Sequence, residues 1–131
     1  MAKYKAYIKE YDKVIDVDRL GLNWDGSVQE IIASEKELEG KDEWTDFQAG
    51  QFELMQCIGY KDKNGVEIYD GYIVKITLTE TQKTRRGEVI YYDDNACYLV
   101  KTANEEYFTF MSADICEIEV LGNKYENKGL V

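Results

Sequence analysis

From residue 51 onward the chain consists of short β-branched and aromatic runs separated by Gly, Asn and Asp, and this constrains its fold more than any other feature. The runs span 52–58, 66–69, 72–79, 87–92, 96–100, 107–110 and 115–121. They are too short for helices and rich in Val, Ile, Tyr and Phe, so they predict strands. Their joints carry turn chemistry. Asn64-Gly65 predicts a type I′ hairpin turn, Asp93-Asp94-Asn95 and Asn104-Glu105-Glu106 predict tight turns, and Ser112-Ala113-Asp114 predicts a short 3-10 turn before the last strand. Pro is absent, which leaves Gly, Asn and Asp to reverse the chain. Strands this regularly spaced predict a small barrel, and five or so of them with a turn before the last predict an SH3-like β-barrel over residues 51–131.

Residues 1–50 predict a separate β-rich lobe with few or short helices. Residues 4–9 and 13–17 predict a hairpin about the turn-like 10–12. Leu20, Leu22 and Trp24 recur at a spacing of two before Asp25-Gly26, a strong hairpin signal, with a return strand over 28–33. A capping box from Ser27 to Glu30, opening a helix through Leu38 to Gly40, is the competing reading. The adjacent Ile31 and Ile32 favour the strand. Residues 34–50 are acidic and aperiodic and predict a solvated connector anchored by Trp44 and Phe47. With 131 residues in all, one compact domain or two lobes sharing a core is the scale to expect.

Composition removes several classes of chemistry. The chain has no His, which excludes Ser/His/Asp and Cys/His catalysis and His-based zinc sites. Lys and Arg number 16 against 26 Asp and Glu, for a net charge of −10, which argues against direct nucleic-acid binding through phosphate neutralisation. Cys57, Cys97 and Cys116 are odd in number, widely spaced and set among apolar neighbours, so they read as small hydrophobes in a reducing cytoplasm. No apolar run reaches the length of a membrane span, and the start lacks the pattern of a secretion signal, so no membrane association is expected. There is no Walker loop and no GxGxxG.

What remains is weak as chemistry. Residues 62–67 offer oxygen ligands without the Gly and bidentate Glu spacing of a calcium loop, and the hairpin turn accounts for them. The acid pairs Asp16/Asp18, Asp93/Asp94 and Glu105/Glu106 read as solvated turn or strand residues rather than a general acid and base. Lys83, Arg85 and Arg86 form the basic cluster, expected on a projecting loop that contacts an acidic partner or another copy. Trp24, Trp44, Tyr91 and Tyr92 are candidate partner contacts, with core packing as the competing assignment. The expectation is thus a non-enzymatic interaction or self-assembling module, with no catalytic, cofactor or metal residues. A nucleic-acid-mimicking inhibitor is the alternative, and a carboxylate hydrolase comes third.

One stretch resembles a known family. Leu54-Met-Gln-Cys-Ile-Gly59, Lys61-Asp-Lys-Asn-Gly65 and Glu67-Ile-Tyr-Asp-Gly-Tyr-Ile-Val74 follow in the order of the signature of YopX proteins, which are phage and prophage proteins of Gram-positive bacteria. The end, Val120-Leu-Gly-Asn-Lys-Tyr-Glu-Asn127, resembles that family's closing pattern, and Lys3-Tyr-Lys-Ala-Tyr-Ile-Lys9 is similar to its start. Tyr72 stands where the family usually has Asp, and Lys128-Gly129 where it has a Pro-containing tail. The resemblance implies an SH3-like barrel behind a β-rich lobe, phage origin, action in the host cytoplasm and homo-oligomerisation, and it implies no particular activity.

Overall fold

The computed structural model describes residues 3–33, 46–110 and 113–130. Eleven strands follow in order: β1 Tyr4–Ile8, β2 Lys13–Leu22, β3 Val28–Ala33, β4 Asp46–Gln48, β5 Phe52–Lys61, β6 Glu67–Tyr69, β7 Tyr72–Leu78, β8 Thr84–Tyr92, β9 Cys97–Thr102, β10 Tyr107–Thr109 and β11 Ile115–Asn123. A 3-10 turn, Asp93–Asn95, lies between β8 and β9. The fold is mainly β, and no helix among the described residues is long and apolar enough to cross a membrane. The strands pair antiparallel in the orders β4-β3-β2-β1-β5-β6 and β10-β9-β8-β7-β11. The chain falls into two compact units, Met1–Gln56 and Cys57–Val131, with β5 running from one into the other.

In the first unit, β4 and β5 lie on opposite sides of β3-β2-β1 in the pairing order, yet only residues 49–51 join them. Three residues span about 10 Å, so the sheet must curl until these strands nearly meet. Hydrogen bonds tie the joint down on both sides, from Ala49 N to Gln29 O at 2.9 Å and from Lys9 N to Gln51 O at 3.1 Å. Inside the curl Ala6, Ile8, Ile15, Ile31, Ala33, Phe47 and Phe52 form the core. Val28–Ala33 is a strand, as the adjacent isoleucines predict. The connector expected over 34–50 contains strand β4, because Phe47 pairs with Ile31 and is buried. Residues 34–45 of the expected connector, Trp44 among them, and with them the end of the alternative helix lie outside the described residues.

The second unit packs Ile68, Val74, Ile76, Val89 and Val100 against a ring of half-buried apolar residues that includes Phe108, Ile118 and Val120. The expected closed barrel is not what these strands form. The five-stranded sheet stays open, with β10 at one edge and β11 at the other. β10 is only three residues long, too short a ladder to close a barrel. Cys116, expected to be buried, is exposed. It is the extra residue of a bulge between the pairs Ile115/Leu78 and Glu117/Thr77, which turns it out of the alternation. Cys57 and Cys97 are half-buried. The 3-10 turn expected at 112–114 falls partly outside the described residues, and Asp114 O there accepts from Thr79 N at 2.8 Å.

Five reversals among the described residues share one geometry. In turns 9–12, 23–26, 62–65, 93–96 and 102–105 the fourth residue donates its N–H to the carbonyl of the first and has positive φ. Those fourth residues are Asp12, Gly26, Gly65, Ala96 and Glu105. Asn64 keeps negative φ, so the turn at 62–65 is type I followed by a left-handed Gly65, not type I′. The reason is Asp62. Its Oδ1 accepts from Asn64 N and Val66 N, each at 2.9 Å, which fixes a type I turn, and its Oδ2 accepts from Val120 N at 2.9 Å.

Asp62 is buried, and burial raises its carboxyl pKa, yet the backbone donors of Val120, Val66 and Asn64 outweigh that and hold it below the ordinary value. A folded-state pKa below the unfolded one gives stability that is present above the unfolded value of 3.8 and lost as pH falls through the folded value. Asp62→Ala strands three amides and is expected to cost about 3 kcal/mol or more in urea unfolding. Its stability is also expected to fall less than that of the parent as pH drops below about 4. Glu105 takes a left-handed conformation unaided by glycine, so Glu105→Gly is expected to raise stability by about 1 kcal/mol in the same assay.

Candidate functional site

Trp24 sits at the tip of the β2–β3 hairpin and is 99% exposed. The turn beneath it is tightly braced. Asn23 N donates to Ser27 O at 2.8 Å, Asn23 Nδ2 donates to Ser27 Oγ at 3.0 Å, and the Asp25 carboxylate accepts from Ser27 N at 2.9 Å and Ser27 Oγ at 2.6 Å. The Ser27 bonds hold the Asp25 carboxyl below its usual pKa. Leu22, just before the turn, is 58% exposed. The spacing of Leu20, Leu22 and Trp24 predicts one shared face, but only its first member reaches the core, and beyond Gly21/Glu30 the pairing shifts with Gln29 of β3 as the extra residue. Leu20 packs on the core while Leu22 joins Trp24 in solvent.

The basic cluster does not form a loop. β8 begins at Thr84, so only Lys83 lies in the turn, and Arg85 and Arg86 alternate to opposite faces of a strand. Arg85 pairs opposite Ile76 on the core face, and its Nε donates to Glu106 Oε1 at 3.2 Å. Arg86 lies opposite Lys75 on the other face. Tyr91 and Tyr92 are split by the same alternation. Tyr91 lies opposite Tyr98, with ring centroids 5.2 Å apart, and Tyr92 stacks obliquely on Tyr107 at 5.9 Å. The Asp94 carboxylate beside Tyr92 raises its phenol pKa above the ordinary value. Trp24 is therefore, of the aromatic candidates described, the one that stands wholly in solvent.

Two shallow clefts went unforeseen because each is assembled from distant turns. In the first unit Tyr11 and Phe47, edge to face at 6.2 Å, line a cleft of about 260 Å³ with Glu10, Asp46, Gln48 and Gln51. In the second, Leu78 and Phe108 line one of about 150 Å³ with Glu80, Thr81 and Asp114. Both are smaller than ordinary small-molecule pockets. Among the described residues no three Cys, Asp or Glu side chains converge as a metal site. Of the acid pairs, Asp16 is bound by Lys5 Nζ at 2.6 Å and Glu106 by Arg85, while Asp93 and Asp94 occupy the 3-10 turn.

The residues of the closing pattern have a structural task. Asn123 Oδ1 accepts from Tyr125 N at 3.0 Å and Glu126 N at 2.8 Å, Asn127 Oδ1 accepts from Asn123 N at 3.1 Å, and Lys124 N donates to Gly71 O at 2.9 Å. The signature segment and the closing pattern thus meet as backbone fasteners in the second unit. Two solved structures share the fold along nearly the whole chain. Protein yopX from Bacillus subtilis is 21% identical with a TM-score of 0.63, covering 98% of this chain and 97% of its own. Protein EF1440 from Enterococcus faecalis is 20% identical with a TM-score of 0.61, covering 99% and 97%. A search among curated proteins returned no match. The family profile described as "YopX protein" matches residues 3–131, and the chain belongs to the YopX family.

Proposed function

We propose that this chain is a non-enzymatic interaction module, encoded by a phage or prophage and working in the bacterial cytoplasm, that grips a protein through the β2–β3 hairpin tip. The observation that carries this reading is Trp24, almost fully in solvent on a turn locked by side-chain hydrogen bonds. Tryptophan is the residue most often found at interface hot spots, and a rigid turn removes the ordering cost that a mobile loop would bring to binding. Nothing in the turn itself needs a tryptophan, since its bracing comes from Asn23, Asp25 and Ser27. The order β10-β9-β8-β7-β11, a meander whose last strand returns beside its first, supports an SH3-like relationship for the second unit.

The alternative reading is a nucleic-acid mimic. Such a mimic needs rows of unneutralised carboxylates, whereas Asp16, Glu88, Glu106 and Glu119 each lie within 4.0 Å of a lysine or arginine. A photo-crosslinking amino acid placed at position 24 in the full chain, expressed in a bacterial host during phage growth, tests the proposal. It is expected to trap a discrete protein, a second copy of the chain included, that the same amino acid at the exposed Lys128 does not trap. Equal trapping at both positions, or none at either, would falsify the reading.

A further inference from the structure

In the second unit the core face of the five-stranded sheet ends in a row of aromatic rings. Val89 pairs with Val100, and Val100 with Phe108, on that face. Two residues along each strand, Tyr91, Tyr98 and Phe110 take the same face and carry the row to the rim. Tyr91 lies opposite Tyr98, with rings 5.2 Å apart at 70°. Leu99 pairs with Thr109, which brings their chain neighbours Tyr98 and Phe110 side by side. Tyr60 completes the row, stacked on Phe110 at 5.4 Å and 24°. A bulge puts it there: between the pairs Cys57/Tyr69 and Lys61/Glu67, β5 has three residues where β6 has one, and Gly59 among them takes a φ of 89°. Tyr91 is 48% exposed and Tyr60 38%, while Tyr98 and Phe110 are half-buried, so every ring of the row reaches solvent.

This arrangement favours one kind of ligand. Edge-to-face and face-to-face pairs make ridges and grooves, not the flat platform on which a sugar ring stacks. The charge of −10 works against nucleotides. With neighbouring rings 5.2 and 5.4 Å apart, alternate rings stand roughly 10 Å from each other. A polyproline II helix repeats every three residues, about 9 Å. It lays its rings into aromatic grooves, is ordered before it binds, and offers carbonyls without N–H groups to a tyrosine hydroxyl. The turn beyond Tyr92 supplies charge, since Asp93 and Asp94 are exposed and residues 87–100 contain no Lys or Arg. We propose that the row binds a proline-rich segment with a basic flank, the prolines on Tyr91, Tyr98, Phe110 and Tyr60 and the cation at Asp93 and Asp94. The chain has no Pro, so that segment belongs to a different protein. The row is a second contact surface, on the other unit from Trp24.

Titration of the isotope-labelled full chain with a synthetic oligoproline ending in an Arg pair, followed by amide chemical shifts, tests the proposal. The peptide is expected to shift amides of 58–60, 91–98 and 108–110 and to saturate below about 1 mM, while a Gly-Ser peptide with the same Arg pair shifts none. Tyr91→Ser and Tyr60→Ser are each expected to weaken binding at least about 10-fold, with the rest of the spectrum showing that the variants are folded. Replacing both Asp93 and Asp94 by Lys is expected to weaken the Arg-tailed peptide about fivefold and to leave an untailed oligoproline unaffected. The absence of saturable shifts, an equal response to the Gly-Ser peptide, shifts away from the row, or binding indifferent to both tyrosine substitutions overturns the proposal. Crosslinking at position 24 is read separately, so either surface can fail without the other.

Discussion

The second unit depends on a carboxylate buried among backbone amides. Asp62 gathers Asn64 N, Val66 N and Val120 N, which lie on both arms of the β5–β6 turn and on a strand 58 residues further along. A buried carboxylate is tolerable only when its oxygens are satisfied, and here three donors satisfy it. The bonds set the turn type, place Gly65 where a left-handed residue is needed, and pin β11 where its register against β7 shifts between Val120 and Gly122. Asn123 repeats the principle at the far end of β11, closing the last turn on its own side chain.

This gives the family signature a physical content. The Lys-Asp-x-Asn-Gly and Gly-Asn-x-Tyr-Glu-Asn segments are where side chains fasten the backbone of the second unit. Function is then to be sought away from the signature, on surface that the fold does not need. The β2–β3 tip fits that description: its turn is braced by Asn23, Asp25 and Ser27, while Trp24 contributes nothing to the bracing.

Much of the fold was legible because strand signals were dense and unopposed. The adjacent isoleucines at 31 and 32 gave β3, and the runs after residue 51 gave every later strand. The bulges were not legible. Those at Gly21/Leu22 and Ile115/Glu117 depend on the partner strand, and the second exposed Cys116 against the local alternation. The basic cluster was misread as a loop because three cations in four residues resemble a solvated turn, while pairing with β7 carries the strand back to Thr84. Barrel closure was over-read, since strand count cannot reveal that β10 is three residues long. Of the candidate contacts, Trp24 was singled out from residue type alone, and the cleft drawn from residues 10 and 11 and 46–51 had no local signal.

Native-state amide hydrogen exchange at Asn64, Val66 and Val120 tests the central claim most directly. If Asp62 is the fastener, the three amides exchange together and as slowly as those of the β7–β8 ladder, through global unfolding alone. Rapid or unequal exchange at these sites, with β7 and β8 still protected, would contradict the account.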